Sequence, residues 1–63
     1  MTLKELLELN KNGGLLDIYL YDKNWAYYGC YPKRYLLKNS GVLNEKVMSF
    51  ELEDNDLYIQ LAL

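Results

Sequence analysis

Residues 15–31 read LLDIYLYDKNWAYYGCY, and this stretch decides the fold. Leu16, Ile18 and Leu20 alternate with Asp17, Tyr19 and Tyr21, the period of a strand with one face turned inward. Asp22-Lys23-Asn24 then forms a three-residue connection, with Asn24 suited to a positive φ. Residues 25–31, from Trp25 to Tyr31, form the returning strand, because aromatic side chains fit pleated surfaces. Gly29 marks a bulge or a close approach within it. The stretch therefore predicts a β-hairpin.

Upstream, Thr2-Leu3-Lys4-Glu5 is a capping box. The Thr2 hydroxyl accepts from the Glu5 amide while the Glu5 carboxylate reaches back to Thr2. Leu3, Leu6, Leu7 and Leu9 continue it as a narrow apolar stripe on two to three helical turns, which Asn12-Gly13-Gly14 closes. A helix this short needs a surface to dock on. Downstream, Pro32 opens a second short helix over 32–39, Gly41 closes it, and 42–46 are a connection. Met48, Phe50 and Leu52 then alternate with Ser49, Glu51 and Glu53. Asp54-Asn55-Asp56 turns the chain, and Leu57, Ile59, Leu61 and Leu63 alternate with Tyr58, Gln60 and Ala62. The expectation is an α+β domain spanning residues 1–63. A short N-terminal helix packs on a four-stranded antiparallel sheet of two hairpins, with a short helix between them. The final strand, apolar on one side, invites pairing with a second copy if it lies at an edge.

The chain has 63 residues, 51% of them hydrophobic, which excludes disorder and leaves room for one small core. With a single cysteine and no histidine, no internal disulfide is available to support that core. Self-association into a dimer or higher homo-oligomer is the expected substitute. No apolar run approaches the length of a membrane span, and Lys4, Glu5 and Glu8 do not suit a secretory signal. An unpaired thiol suits a reducing compartment, so the expected location is the cytoplasm of the host cell.

The same absences close off most chemistry. Without histidine there is no Ser-His-Asp or Cys-His arrangement, and the commonest general base is missing. Cys30 has no companion for a metal site and reads as a small buried hydrophobe. Glu51, Glu53, Asp54 and Asp56 are close enough in sequence to hold a divalent cation. They lack the glycine and distal glutamate of a calcium loop, and a solvated hairpin tip, which favours Asp and Asn for turn geometry alone, is the better explanation. Gly13-Gly14 is followed by no Lys-Ser/Thr and is no phosphate loop. No enzyme activity, cofactor or metal is expected.

The aromatic set carries the functional reading. Seven tyrosines, one tryptophan and one phenylalanine are present. Trp25, Tyr27, Tyr28, Tyr31 and Tyr35 are interleaved with Lys23, Lys33, Arg34 and Lys38. Three readings compete. Large rings fill a small core; or bases stack on the rings while phosphates meet the cations; or Tyr19, Tyr21, Trp25, Tyr27 and Tyr31 line a protein interface on the outer sheet face. Net charge is −2, with +4 over residues 23–38 and −4 over residues 45–63. A dipolar surface of that kind favours a protein partner, with Glu51, Glu53, Asp54 and Asp56 as its acidic part. That acidic tip could also imitate phosphates locally.

Thr2-Leu3-Lys4-Glu5-Leu6-Leu7, the turn at Tyr21-Asp22-Lys23-Asn24, and the segments Val47–Phe50 and Asp54–Ile59 together resemble small proteins of prophages and mobile elements of Gram-positive bacteria. The likeness spans most of the chain through cap, turn and strand motifs. It departs in the aromatic second strand, so no functional residue is carried over. The resemblance implies a non-catalytic phage or mobile-element protein that inhibits or modulates a host protein. Components of antiviral defence such as CRISPR effectors are among such targets, which makes the chain an anti-CRISPR candidate. The competing expectation is a small nucleic-acid-binding regulator using Lys23, Lys33, Arg34 and Lys38.

Overall fold

The computed structural model describes residues 1–9, 17–39 and 41–63, with Asn39 by its backbone alone. The chain forms α1 (Leu3–Leu9), β1 (Asp17–Tyr21), β2 (Tyr27–Pro32), α2 (Lys33–Asn39), β3 (Val47–Glu53) and β4 (Asp56–Leu61). The expected helix end at Asn12-Gly13-Gly14, and the strand positions Leu15 and Leu16, lie outside the described residues.

α1 starts at the expected capping box. The Thr2 amide donates to Glu5 Oε1 at 2.8 Å, and the Glu5 amide donates back to Thr2 Oγ1 at 3.3 Å. Two more amides of the first turn would otherwise lack partners. Leu3 N–H donates to the Glu45 carbonyl and Lys4 N–H to the Leu43 carbonyl, both at 3.0 Å. The helix start is thereby tied to the segment that leads into β3.

The sheet order is β2-β1-β4-β3. Both hairpins are present, with β1 antiparallel to β2 and β3 antiparallel to β4. The sheet is nevertheless mixed and not the purely antiparallel one expected, because β1 and β4 run parallel in the centre. The reason is the connection between the hairpins. α2 carries the chain back along β2, so β3 starts at the end where β2 started and runs in the same direction. β4, returning from β3, must then run with β1. The final strand is central, and β2 and β3 are the edges.

One face of the sheet carries the core. Ile18 and Leu20 from β1 and Leu57, Ile59 and Leu61 from β4 pack against Leu3, Leu6 and Leu7 of α1 and Leu36 of α2. Both helices therefore lie on this covered face. Phe50 stands opposite Ile59, and Leu52 opposite Leu57, so both point to the same side. The two short helices do not reach over β3, and Phe50 and Leu52 remain 53% and 58% exposed. No helix among the described residues is long and apolar enough to cross a membrane.

Candidate interaction face

The register assigns the paired strand residues to a face. On the face away from the helices, three rows run across the sheet from β2 to β3. One row is Pro32, Asp17, Asp56 and Glu53, which places three acidic residues on adjacent strands. The next is Cys30, Tyr19, Tyr58 and Glu51. The third is Tyr27, Tyr21, Gln60 and Ser49. No described helix packs on this face. Like charges side by side on neighbouring strands cost stability, so the acidic row is not there to hold the sheet together.

The rings are organised by the strands that carry them. Tyr19 and Tyr58 sit directly opposite on β1 and β4 and stack with centroids 4.8 Å apart and planes 11° from parallel. Tyr21 meets Tyr27 edge-on at 5.8 Å and Trp25 at 5.7 Å. Contacts of this geometry add to area burial and fix the rings in place.

Trp25 does not belong to the returning strand. Its amide donates to the Asp22 carbonyl and the Asp22 amide to the Ala26 carbonyl, each at 3.0 Å. It is Trp25, not Asn24, that takes positive φ, at 64°. Glycine is the usual residue at that point of a three-residue hairpin, and a bulky side chain is rare there. The Asp22 carboxylate holds the loop in shape by accepting from the amides of Asn24 (2.8 Å) and Ala26 (3.0 Å). Trp25 is left 55% exposed at the rim of the aromatic cluster. Backbone strain that displays a large ring to solvent is the kind of cost found at functional positions.

Gln60 ties this loop to the sheet. It is only 8% exposed. Its Oε1 accepts from Ser49 Oγ at 2.8 Å, and its Nε2 donates to the Lys23 carbonyl at 2.9 Å. The Lys23 carbonyl fixes the amide orientation, since the reversed amide would set two acceptors against each other.

The field over the face is negative. The Tyr19 hydroxyl is pushed above the usual phenol pKa, chiefly by the nearby Asp56 carboxylate and then by Cys30 and partial burial. Tyr58 is raised by partial burial first and then by Asp56 and Glu53. Tyr27 is raised too, chiefly by slight desolvation of a ring that stays largely exposed and then by Cys30. These hydroxyls therefore stay protonated as hydrogen-bond donors well into alkaline conditions. Among the described residues, no three of Asp, Glu and Cys converge where a metal ion could be held.

Several positions differ from the sequence expectation. Tyr19, Tyr21 and Tyr27 share the open face, with Trp25 at its rim and Glu51, Glu53 and Asp56 beside them, while Asp54 sits in the turn with φ of 56°. Tyr31 is on the opposite side, paired with Ile18 and packed against the core. The cause is a bulge: the register shifts between Leu20 and Tyr21, so Tyr28 has no partner and the face alternation reverses between Tyr27 and Tyr31. Tyr31 instead lies across Gly29, where an added Cβ would come within 2.6 Å of its ring, and stacks on Tyr35 at 5.4 Å. Cys30 is exposed on the open face, not buried. Tyr58 belongs to the aromatic set and was missed, although its alternation with Leu57 and Ile59 already placed it on the polar side of the last strand. Three of the four cations are apart from the open-face rings but share α2 with Tyr35, which stacks on Tyr31. Lys33, Arg34 and Lys38 are on α2, over the covered face, and Lys23 is in the β1–β2 loop.

Fold and face together define a small α+β protein whose mixed sheet is covered by helices on one side and presents tyrosine and carboxylate on the other. Compared with family models, curated proteins and solved structures, the chain matches none.

Proposed function

We propose that the protein is a non-catalytic binding module whose open sheet face recognises a basic surface on another protein. One observation carries this reading. The stacked and edge-packed rings of Tyr19, Tyr58, Tyr21 and Tyr27 adjoin a row of carboxylates from Asp17, Asp56 and Glu53. Rigid tyrosines supply contact area at little entropic cost, and carboxylates beside them suit Arg and Lys, which are themselves favoured at interface anchors. Guanidinium groups also stack on aromatic faces. The alternative, a nucleic-acid regulator, needs cations beside the rings. On the open face the rings adjoin acids, which repel phosphate, whereas Lys33, Arg34 and Lys38 share α2 with Tyr35 on the covered side and Lys23 alone lies in the loop that carries Trp25. In line with the resemblance to prophage and mobile-element proteins, the partner is a cytoplasmic host protein whose activity is inhibited or modulated, antiviral defence components included.

The test is affinity capture of the tagged protein from a bacterial host lysate, with and without nuclease. The wild type is compared with a Trp25→Ser/Tyr27→Ser variant, which removes two exposed rings and leaves the core intact. A stoichiometric host protein that survives nuclease and is lost from the variant is the expected result. Capture that vanishes with nuclease, or that the variant retains in full, contradicts the proposal.

A further inference from the structure

We infer that β3 is a self-pairing edge, through which two copies of the chain join antiparallel into one eight-stranded sheet. β3 lies at the end of the strand order, and Met48, Phe50 and Leu52 along it are all more than half exposed. An uncovered apolar edge strand is normally guarded or used. The start of this edge is already closed. Val47 N–H points away from β4 and donates to the Met1 carbonyl at 2.9 Å, and Thr2 bridges to Lys46. Among the described residues, the open part is Met48–Glu53. Glu53 and Asp56 close a two-residue turn and so exchange backbone hydrogen bonds, which directs the backbone groups of Glu53, Glu51 and Ser49 toward β4. Every second residue of a strand directs its backbone groups to the same side, so Phe50 and Leu52 present theirs outward.

The occupant follows from the order of side chains. Met48-Ser49-Phe50-Glu51-Leu52 is chemically symmetric about Phe50: apolar, polar, aromatic, polar, apolar. With Phe50 opposite its own copy, Leu52 meets Met48 of the second chain and Glu51 meets Ser49. Apolar groups meet apolar groups, no carboxylate opposes another, and the outward-directed residues of both strands exchange hydrogen bonds. The neighbouring registers are worse. Sliding one way sets Glu51 against Glu51, a like-charge pair. Sliding the other way runs Glu51 into the stretch closed by Met1 and Thr2. A slip by a single residue sets Phe50 against Glu51 and turns the two helix layers to opposite sides. The favoured arrangement is a two-fold, self-complementary contact, the commonest form of protein dimer. It also sets both tyrosine–carboxylate faces on the same side of the joined sheet, doubling the surface offered to a partner. The exposed strip of Phe50 and Leu52 that the short helices leave uncovered is then shared between the two copies.

Sedimentation velocity from low micromolar to near-millimolar concentration tests this on the full chain, together with a Phe50→Lys variant. The wild type is expected to pass from monomer to dimer. Phe50→Lys, altered at an exposed position and checked for unchanged circular dichroism, is expected to weaken the dimer by roughly tenfold or more, as loss of a central anchor does. Register is read by oxidative cross-linking in a Cys30→Ser background. At concentrations where each variant is dimeric by sedimentation, Phe50→Cys faces its own copy and links, whereas Leu52→Cys faces Met48 and does not. A wild type that stays monomeric throughout, a Phe50→Lys dimer as tight as wild type, or Leu52→Cys linking as fast as Phe50→Cys would each overturn the inference.

Discussion

Replacing Gln60 with Ala tests how the open face is held in shape. Two hydrogen bonds disappear, one from Ser49 Oγ and one to the Lys23 carbonyl. Each contributes about 0.5–1.5 kcal/mol net, because both freed partners are near enough to solvent to regain water. The expected loss is therefore about 1–3 kcal/mol. A chain of 63 residues has a total stability of roughly 3–9 kcal/mol at ordinary per-residue values, so the loss is a substantial share. Urea unfolding followed by circular dichroism gives the total. A double-mutant cycle with Ser49→Ala gives the half that belongs to β3. Ser49→Ala should cost about 1 kcal/mol in the wild type and almost nothing in the Gln60→Ala background. The other half belongs to the β1–β2 loop and is read from Trp25, the only tryptophan, whose emission should shift as the loop detaches. Gln60→Ala within about 0.5 kcal/mol of wild type, with additive behaviour toward Ser49→Ala and unchanged emission, would refute the pinning role.

Three further outcomes are expected. Gly29→Ala should cost about 1–3 kcal/mol, because the new methyl group meets the Tyr31 ring at 2.6 Å and forces it off Tyr35; near-ultraviolet circular dichroism should lose aromatic signal. Leu20→Ala on the central β1 should cost about 2–5 kcal/mol, while Leu52→Ala, exposed on the edge of the single chain, should stay within about 0.5 kcal/mol, both read by urea unfolding at concentrations where the chain is monomeric. Tyr19 holds its proton above the ordinary phenol range, and Asp56 is the main cause. Its contribution is present below the ordinary phenol pKa and is lost as pH rises through the raised folded value. In an alkaline titration of tyrosinate absorbance, Asp56→Asn should bring the latest-ionising tyrosines earlier.

Local features were legible in the sequence because local physics determines them. Thr2 and Glu5 are close enough to cap each other whatever surrounds them, and alternation in 17–21 and 57–61 fixes which side chains turn inward. Neighbour relations between strands are not encoded in alternation. Nothing in Ile18 or Ile59 states that β1 and β4 lie parallel; the path of α2 decides it. The face assignment failed where a bulge intervened, since one unpaired residue at Tyr28 was enough to send Tyr31 to the core side. Met48, Phe50 and Leu52 carry a faultless alternation and yet stay exposed, because burial depends on how far two seven-residue helices reach. The tyrosine face itself was foreseen through Tyr19, Tyr21 and Tyr27. Its completion by Tyr58 and its row of carboxylates required knowing that β4 sits beside β1.

The central claim is that the open tyrosine–carboxylate face binds basic protein surface. The most direct measurement is a heteronuclear NMR titration of the labelled protein with an arginine-rich peptide and, separately, with a single-stranded DNA oligonucleotide. Saturable shifts are expected for the peptide at Tyr19, Tyr21, Tyr58, Glu51 and Asp56, and none at that face for the DNA. Shifts with the DNA centred on Lys33, Arg34 and Lys38, with the peptide leaving the open face unmoved, would contradict it.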